Sequence, residues 1–187
     1  MAILKFITKN NPHTTYDGKY KDDDAVYDVL RYIMDESKTG GYYGSWAVDP
    51  PYCAYEMNLV AKFYHQQKGV RLSHWILNFE DDELRRIQKT YNCPLPMALL
   101  ALGRDITKYY AARHQVVFAV HHIDERHPHI HCVLSAVSYV DGLKYHRGPE
   151  EFYAYKGYAA RVLGRMGISL KIVQDHESTK IYQPSAL

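Results

Sequence analysis

Two apolar runs, Val116-Val117-Phe118-Ala119-Val120 and Cys132-Val133-Leu134, stand close together in the chain, with H-I-D-E-R-H-P-H-I-H, His122 to His131, between them. Short apolar, β-branched runs on either side of a polar turn read as two strands of a hairpin. This pair constrains the fold more than any other feature, because it demands a sheet and places a row of imidazoles at one end of it. Side chains alternate in an extended chain, so His129 and His131 share one face while Ile130 and Cys132 share the other. Closure of the hairpin brings His122 beside them. Three neutral imidazoles converging from two paired strands form a metal cap with open coordination positions, the arrangement of a catalytic rather than a closed structural site. His121 faces away from His122 by alternation and His127 lies in the turn; either can replace His122 as the third ligand.

The remaining pattern alternates helices with strands. Ala2–Thr8 reads as a strand. Asp22, Asp23 and Asp24 open a helix whose Val26, Val29, Leu30, Ile33 and Met34 repeat at helical spacing as far as Lys38, before Gly40-Gly41. A second helix fits Tyr52–Gln67 after Pro50-Pro51, and a strand fits Arg71–Phe79. Glu80 to Glu83 open a short helix that Asn92-Cys93-Pro94 interrupts, and Pro96–Arg113 forms a longer one. The hairpin over Val116–Ser138 follows, then a turn at Asp141-Gly142, a helix from Pro149 to Arg165 and a last strand, Ile168–Val173. The order β-α-α-β-α-α-β-β-α-β predicts one α+β domain over residues 1–187, with a mainly antiparallel five-stranded sheet and flanking helices.

A chain of 187 residues is long enough to bury a core without a second domain. Its three cysteines are widely spaced with no C-x-x-C pair, which argues against a disulfide framework or a cysteine zinc site and points to a reducing, cytoplasmic setting. No apolar run is long enough to cross a bilayer, and Met1 to Lys5 is too short for a signal peptide. The formal net charge of +2 permits nucleic acid without demanding it. Residues 62–113 carry nine Lys/Arg against five Asp/Glu, and the first forty carry six against seven, so a phosphate-binding surface belongs to the middle and C-terminal thirds. Arg71, Arg104, Lys108, Arg113, Lys144 and Arg147 are its candidates. Tyr42 and Tyr43, in a Gly-rich segment, are candidates for stacking on unpaired bases.

Taking 100° per residue, Tyr32 lies roughly 130° from the centre of the first helix's apolar stripe, so it is not placed as a core residue. The segment around it, D-V-L-R-Y-I-M-D-E-S-K-T from Asp28 to Thr39, resembles the first motif of the relaxase/mobilisation nucleases of conjugative plasmids and integrative elements. H-I-D-E-R-H-P-H-I-H is similar to their third motif, whose His-hydrophobic-His pair names the HUH endonuclease superfamily. L-S-H-W-I-L-N-F-E-D-D-E, Leu72 to Glu83, resembles the strand and acidic helix between the two. The resemblance covers about Asp22 to Val173 and implies an HUH-endonuclease-like fold. Relaxases are commonly longer than this chain, which makes it, on that resemblance, the N-terminal nuclease portion of a longer protein.

What the resemblance implies can be carried over residue by residue. Tyr32 becomes the nucleophile, His122, His129 and His131 the metal ligands, and Asp124 and Glu125 acidic groups that orient a ligand imidazole or tune the metal. The ion would be Mg²⁺ or Mn²⁺, although three histidines by affinity alone favour Zn²⁺, Cu²⁺ or Ni²⁺. The substrate would be single-stranded or locally melted DNA at an origin of transfer, met with accessory relaxosome proteins in a bacterial cytoplasm. A free tyrosine, with a pKa near ~10, is mostly protonated at neutral pH, so its attack on a repelling phosphodiester needs a cation close by or a nearby base to help it ionise. The link that results is a 5′-phosphotyrosine, which a later 3′-hydroxyl can reverse.

The third motif also resembles that of relaxases with a histidine nucleophile, for which His13 and His74 would be the first candidates; the first motif selects tyrosine. Rolling-circle replication initiators and single-strand transposases share this chemistry, and a catalytically silent DNA-binding module is the alternative from another class. A zinc hydrolase is disfavoured because the histidines lie on strands and there is no H-E-x-x-H helix.

Overall fold

The computed structural model of the chain describes residues 1–7, 23–123, 126–145, 148–173 and 180–182. Its strands are β1 (Ala2–Ile7), β2 (Tyr43–Trp46), β3 (Leu72–Asn78), β4 (His114–His121), β5 (His129–Ser138), β6 (Leu170–Val173) and β7 (Lys180–Tyr182). They form one sheet in the order β2-β4-β5-β3-β1-β6-β7. Every pairing is antiparallel except β1 with β6. The α+β class and mainly antiparallel sheet agree with the sequence reading, but five strands was an undercount. β2 adds a sixth at one edge and the three-residue β7 a seventh at the other.

β2 escapes a sequence reading because Tyr43-Gly44-Ser45-Trp46 has neither length nor alternation. Its glycine has a packing reason: a Cβ at Gly44 would lie 2.7 Å from Phe118 Cζ on the paired strand. The strand exists because β4 beside it is buried throughout and offers its free edge.

The helices are α1 (Asp23–Ile33), α2 (Glu36–Thr39), α3 (Cys53–Phe63), α4 (Asp81–Tyr91), α5 (Leu95–Thr107) and α6 (Pro149–Gly164). The sheet is covered on both sides. Val116, Phe118, Val120, Ile130, Cys132, Trp75 and Leu77 pack with α4, α5 and α6 through residues such as Ile87, Leu99, Leu102 and Tyr155. The alternate residues, Val117, Ala119, Val133 and Leu72, pack with Val26, Val29, Leu30 and Ile33 of α1 and Met57 of α3. Alternation therefore divides each central strand between two cores, and burial of these side chains, each contributing about 1.5–3 kcal/mol, holds the layers together. Burial as a small apolar group also pushes the Cys53 thiol up to about 11.

The first helix does not run to Lys38 as its periodicity suggests. It stops at Ile33, and Asp35 starts α2 by accepting the backbone N–H and the hydroxyl of Ser37. Those two bonds hold the Asp35 carboxyl below the usual carboxylate range. Gly40 closes α2 with φ of 56°, a left-handed conformation that favours glycine. The break at Met34-Asp35 turns α2 back toward the end of the β4-β5 hairpin, where Lys38 O accepts the backbone N–H groups of His122 and Ile123.

Candidate metal centre and nucleophile

The register of the hairpin decides which imidazoles meet. His121 on β4 lies directly opposite His129 on β5, and Ala119 lies opposite His131. Opposed residues of an antiparallel pair point to the same face, so His121, His129 and His131 all project toward the α1 and α3 side. One nitrogen from each lies within 4.8 Å of one from the others. His122 faces away and stays outside the cluster, correcting its expected place: its Nε2 lies 3.0 Å from the Thr39 carbonyl and its ring stands edge-on to Tyr42. His127 is exposed in the turn, 3.9 Å from Asp81. Asp124, Glu125, Arg147 and His13 lie outside the described residues.

The hydrogen bonds of the three rings suit a cation. A carbonyl only accepts, so His121 Nε2, 3.0 Å from Ile33 O, carries a proton and leaves Nδ1 bare. By the same reasoning His129 Nδ1, 3.1 Å from His127 O, is the protonated nitrogen and Nε2 is bare. The Ile33 carbonyl belongs to the last turn of α1, where helix carbonyls lack an intrahelical partner, so the helix end and the ligand satisfy one another. His131 Nδ1 meets His74 Nε2 at 2.8 Å, and His131 Nε2 lies 3.1 Å from His129 Nε2. Two nitrogens can share one ion at that spacing, since imidazole binds divalent metals at about 2.1 Å.

Burial lowers the pKa of His121 to about 4 and that of His131 well below its ordinary value. Both rings are therefore neutral at physiological pH, as metal ligands must be. The donor set fits a divalent cation.

Tyr32 stands over this cluster. Its ring is edge-on to His121 at 5.5 Å and to His131 at 5.6 Å between centroids, and it is about one-third exposed. It also lines a cleft of about 680 Å³ with Asp28, Arg31, Asp35, Tyr43 and Pro50. Lys38 Nζ lies 4.0 Å from the centre of the Tyr32 ring. Sequence reasoning missed Lys38, because in one continuous helix a residue six positions after Tyr32 points elsewhere; only the break at Asp35 folds it back.

The expected DNA contacts scatter. Tyr43 reaches the cleft, and Tyr42 packs beside His122. Arg71 is buried, bonded to the Gln67 carbonyl and to Asn58, which removes it from any DNA surface. Arg113 pairs with Asp141 and Lys144 with the Lys68 carbonyl, at the end of the hairpin away from the imidazoles. Arg104 covers the Trp46 ring at 4.6 Å. Lys108 lines a separate groove with Tyr158, Arg161 and Arg165.

A histidine cluster on two neighbouring strands of the sheet, with a tyrosine of α1 beside it, forms the candidate site. The family description "Relaxase: MobA/VirD2-like, nuclease domain" matches residues 32–168, from Tyr32 through the histidine strands to Ile168, just before β6. The chain belongs to this family of DNA-nicking relaxases. No curated protein matches it. Among the described residues, no helix is long and apolar enough to cross a membrane.

Proposed function

We propose that the chain nicks one strand of DNA at an origin of transfer through attack by Tyr32, with a divalent cation held by His121, His129 and His131. The observation that carries this reading is the position of the Tyr32 ring, within 6 Å of two clustered imidazoles and open to a cleft. A cation bound there would neutralise the scissile phosphate and stabilise charge in the transition state.

The chain's own groups do the rest. The phenolic oxygen of Tyr32 forms the bond to phosphorus and gives up its proton to solvent in the cleft. The bond from phosphorus to O3′ breaks, and the 3′-oxygen takes up a proton. The protein keeps the 5′-phosphate as a phosphotyrosine, so a 3′-hydroxyl can reverse the step and rejoin the strand. Lys38 supplies a positive charge beside the ring as the phenolate develops. Arg31 and Tyr43, on the walls of the cleft, suit a phosphate and an unpaired base of single-stranded or locally melted DNA.

Mg²⁺ or Mn²⁺ is the proposed ion, accessory relaxosome proteins the proposed partners, and the bacterial cytoplasm the proposed setting. The test is a denaturing gel of oligonucleotide with protein and Mn²⁺. A chelator-sensitive adduct on the 5′-phosphate fragment supports the reading; cleavage without an adduct, or none on any origin of transfer tried, opposes it. Cleavage confined to a replication origin or a transposon end would move the chain to those relatives of the chemistry.

A further inference from the structure

We propose that His74 is a positioning residue for the ligand His131, accepting its Nδ1–H and so fixing the tautomer that presents the Nε2 lone pair to the ion. This rests on the reading of His121, His129 and His131 as a metal site. His74 lies on β3, the other neighbour of β5, where it pairs with Val133, two residues along from His131. Both side chains therefore lie on the α1 and α3 face. His74 is 5% exposed and His131 1%. Their rings are 5.1 Å apart with planes tilted by 33°, and the Nε2–Nδ1 distance is 2.8 Å.

A neutral imidazole has one donor and one acceptor, so the 2.8 Å contact allows only two arrangements. If His74 donates from Nε2, His131 must carry its single proton on Nε2, aimed at His129 Nε2, and its metal-facing lone pair is lost. If His131 donates from Nδ1, its Nε2 is bare and His74 carries its own proton on Nδ1. The other two ligands have no such choice, since the carbonyls of Ile33 and His127 can only accept. Among the described residues, His131 alone of the three has its tautomer set by another side chain. Groups behind a metal-bound histidine orient the ring and raise its basicity, and losing one commonly lowers metal affinity by about 10–100-fold.

The test compares Mn²⁺ affinity, by calorimetry on the full chain, for wild type, His74→Leu, His74→Gln and His129→Ala. His74→Leu leaves the buried Nδ1–H of His131 without its acceptor, which favours the tautomer with Nε2 blocked, so affinity should fall about 10–100-fold. His74→Gln restores an acceptor oxygen and should recover most of it; a residue that merely fills space would not separate the two. His74→Leu that folds and binds like wild type, while His129→Ala does not bind, overturns this proposal and leaves the metal site standing. Wild type that binds no Mn²⁺ overturns the site itself. Should His74→Leu fail to fold, imidazole ¹⁵N spectra of the wild-type protein with Zn²⁺ decide: a proton on His131 Nδ1 and none on His74 Nε2 is expected, and the reverse refutes the assignment.

Discussion

His121 lies directly across the β4-β5 ladder from His129, and this pairing brings His121 rather than His122 to His131. The two adjacent histidines consequently have opposite fates: one joins the cluster, the other is tethered to the Thr39 carbonyl. His121→Ala, His129→Ala and His131→Ala should each abolish Mn²⁺ binding and nicking. His122→Ala should leave Mn²⁺ affinity unchanged. Calorimetry with a parallel nicking assay checks both, and loss of binding in His122→Ala with retention in His121→Ala would reverse the assignment.

Tyr32→Phe removes one oxygen from a partly exposed ring. Stability should change by no more than about 1.5 kcal/mol, the worth of a single hydrogen bond. Metal and single-stranded DNA should bind as before, while adduct and nick vanish. If the variant cuts normally, Tyr32 is not the nucleophile.

Arg71 belongs to stability rather than to DNA. Its guanidinium is buried against the Gln67 carbonyl and Asn58, so Arg71→Ala should cost about 2–3 kcal/mol in urea unfolding. The salt dependence of oligonucleotide affinity should keep its wild-type slope, because no phosphate contact is lost. A shallower slope would return Arg71 to the DNA surface.

Without metal, stability should fall on acidification. Burial depresses the pKa of His74 to about 3, lowers that of His114 and brings His121 to about 4. Below pH 6.5 the unfolded chain takes up protons that the folded chain refuses, so stability is complete above that pH and is lost progressively below it. His74 alone should cost on the order of 1 kcal/mol between pH 7.5 and 5.5. Urea midpoints in the presence of chelator measure this, and equal stability at the two pH values would contradict it.

The α+β class, the hairpin, the buried stripe of α1 and the shared face of His129 and His131 were legible in the sequence, because each follows from local periodicity. A two-residue repeat needs no partner to define its faces, and the i, i+3, i+4 spacing of Val26, Val29, Leu30 and Ile33 needs none to define a helix. Tyr32 was legible as a residue outside the core, and its motif suggested more. β2 was not, since four residues with a glycine form a strand only when a neighbour offers an edge.

Tertiary structure decided the rest of the site. The third imidazole depends on the register between β4 and β5, and a shift of one residue would have exchanged His121 for His122, because the side-chain period of a strand is two. Lys38 reaches Tyr32 only because α1 breaks at Met34-Asp35. His74 meets His131 across β3 and β5, 57 residues apart in sequence, a pairing that no local pattern encodes. Local sequence determined which faces the side chains take along each element; the pairing of distant strands, which depends on the whole core closing at once, determined which of those side chains meet.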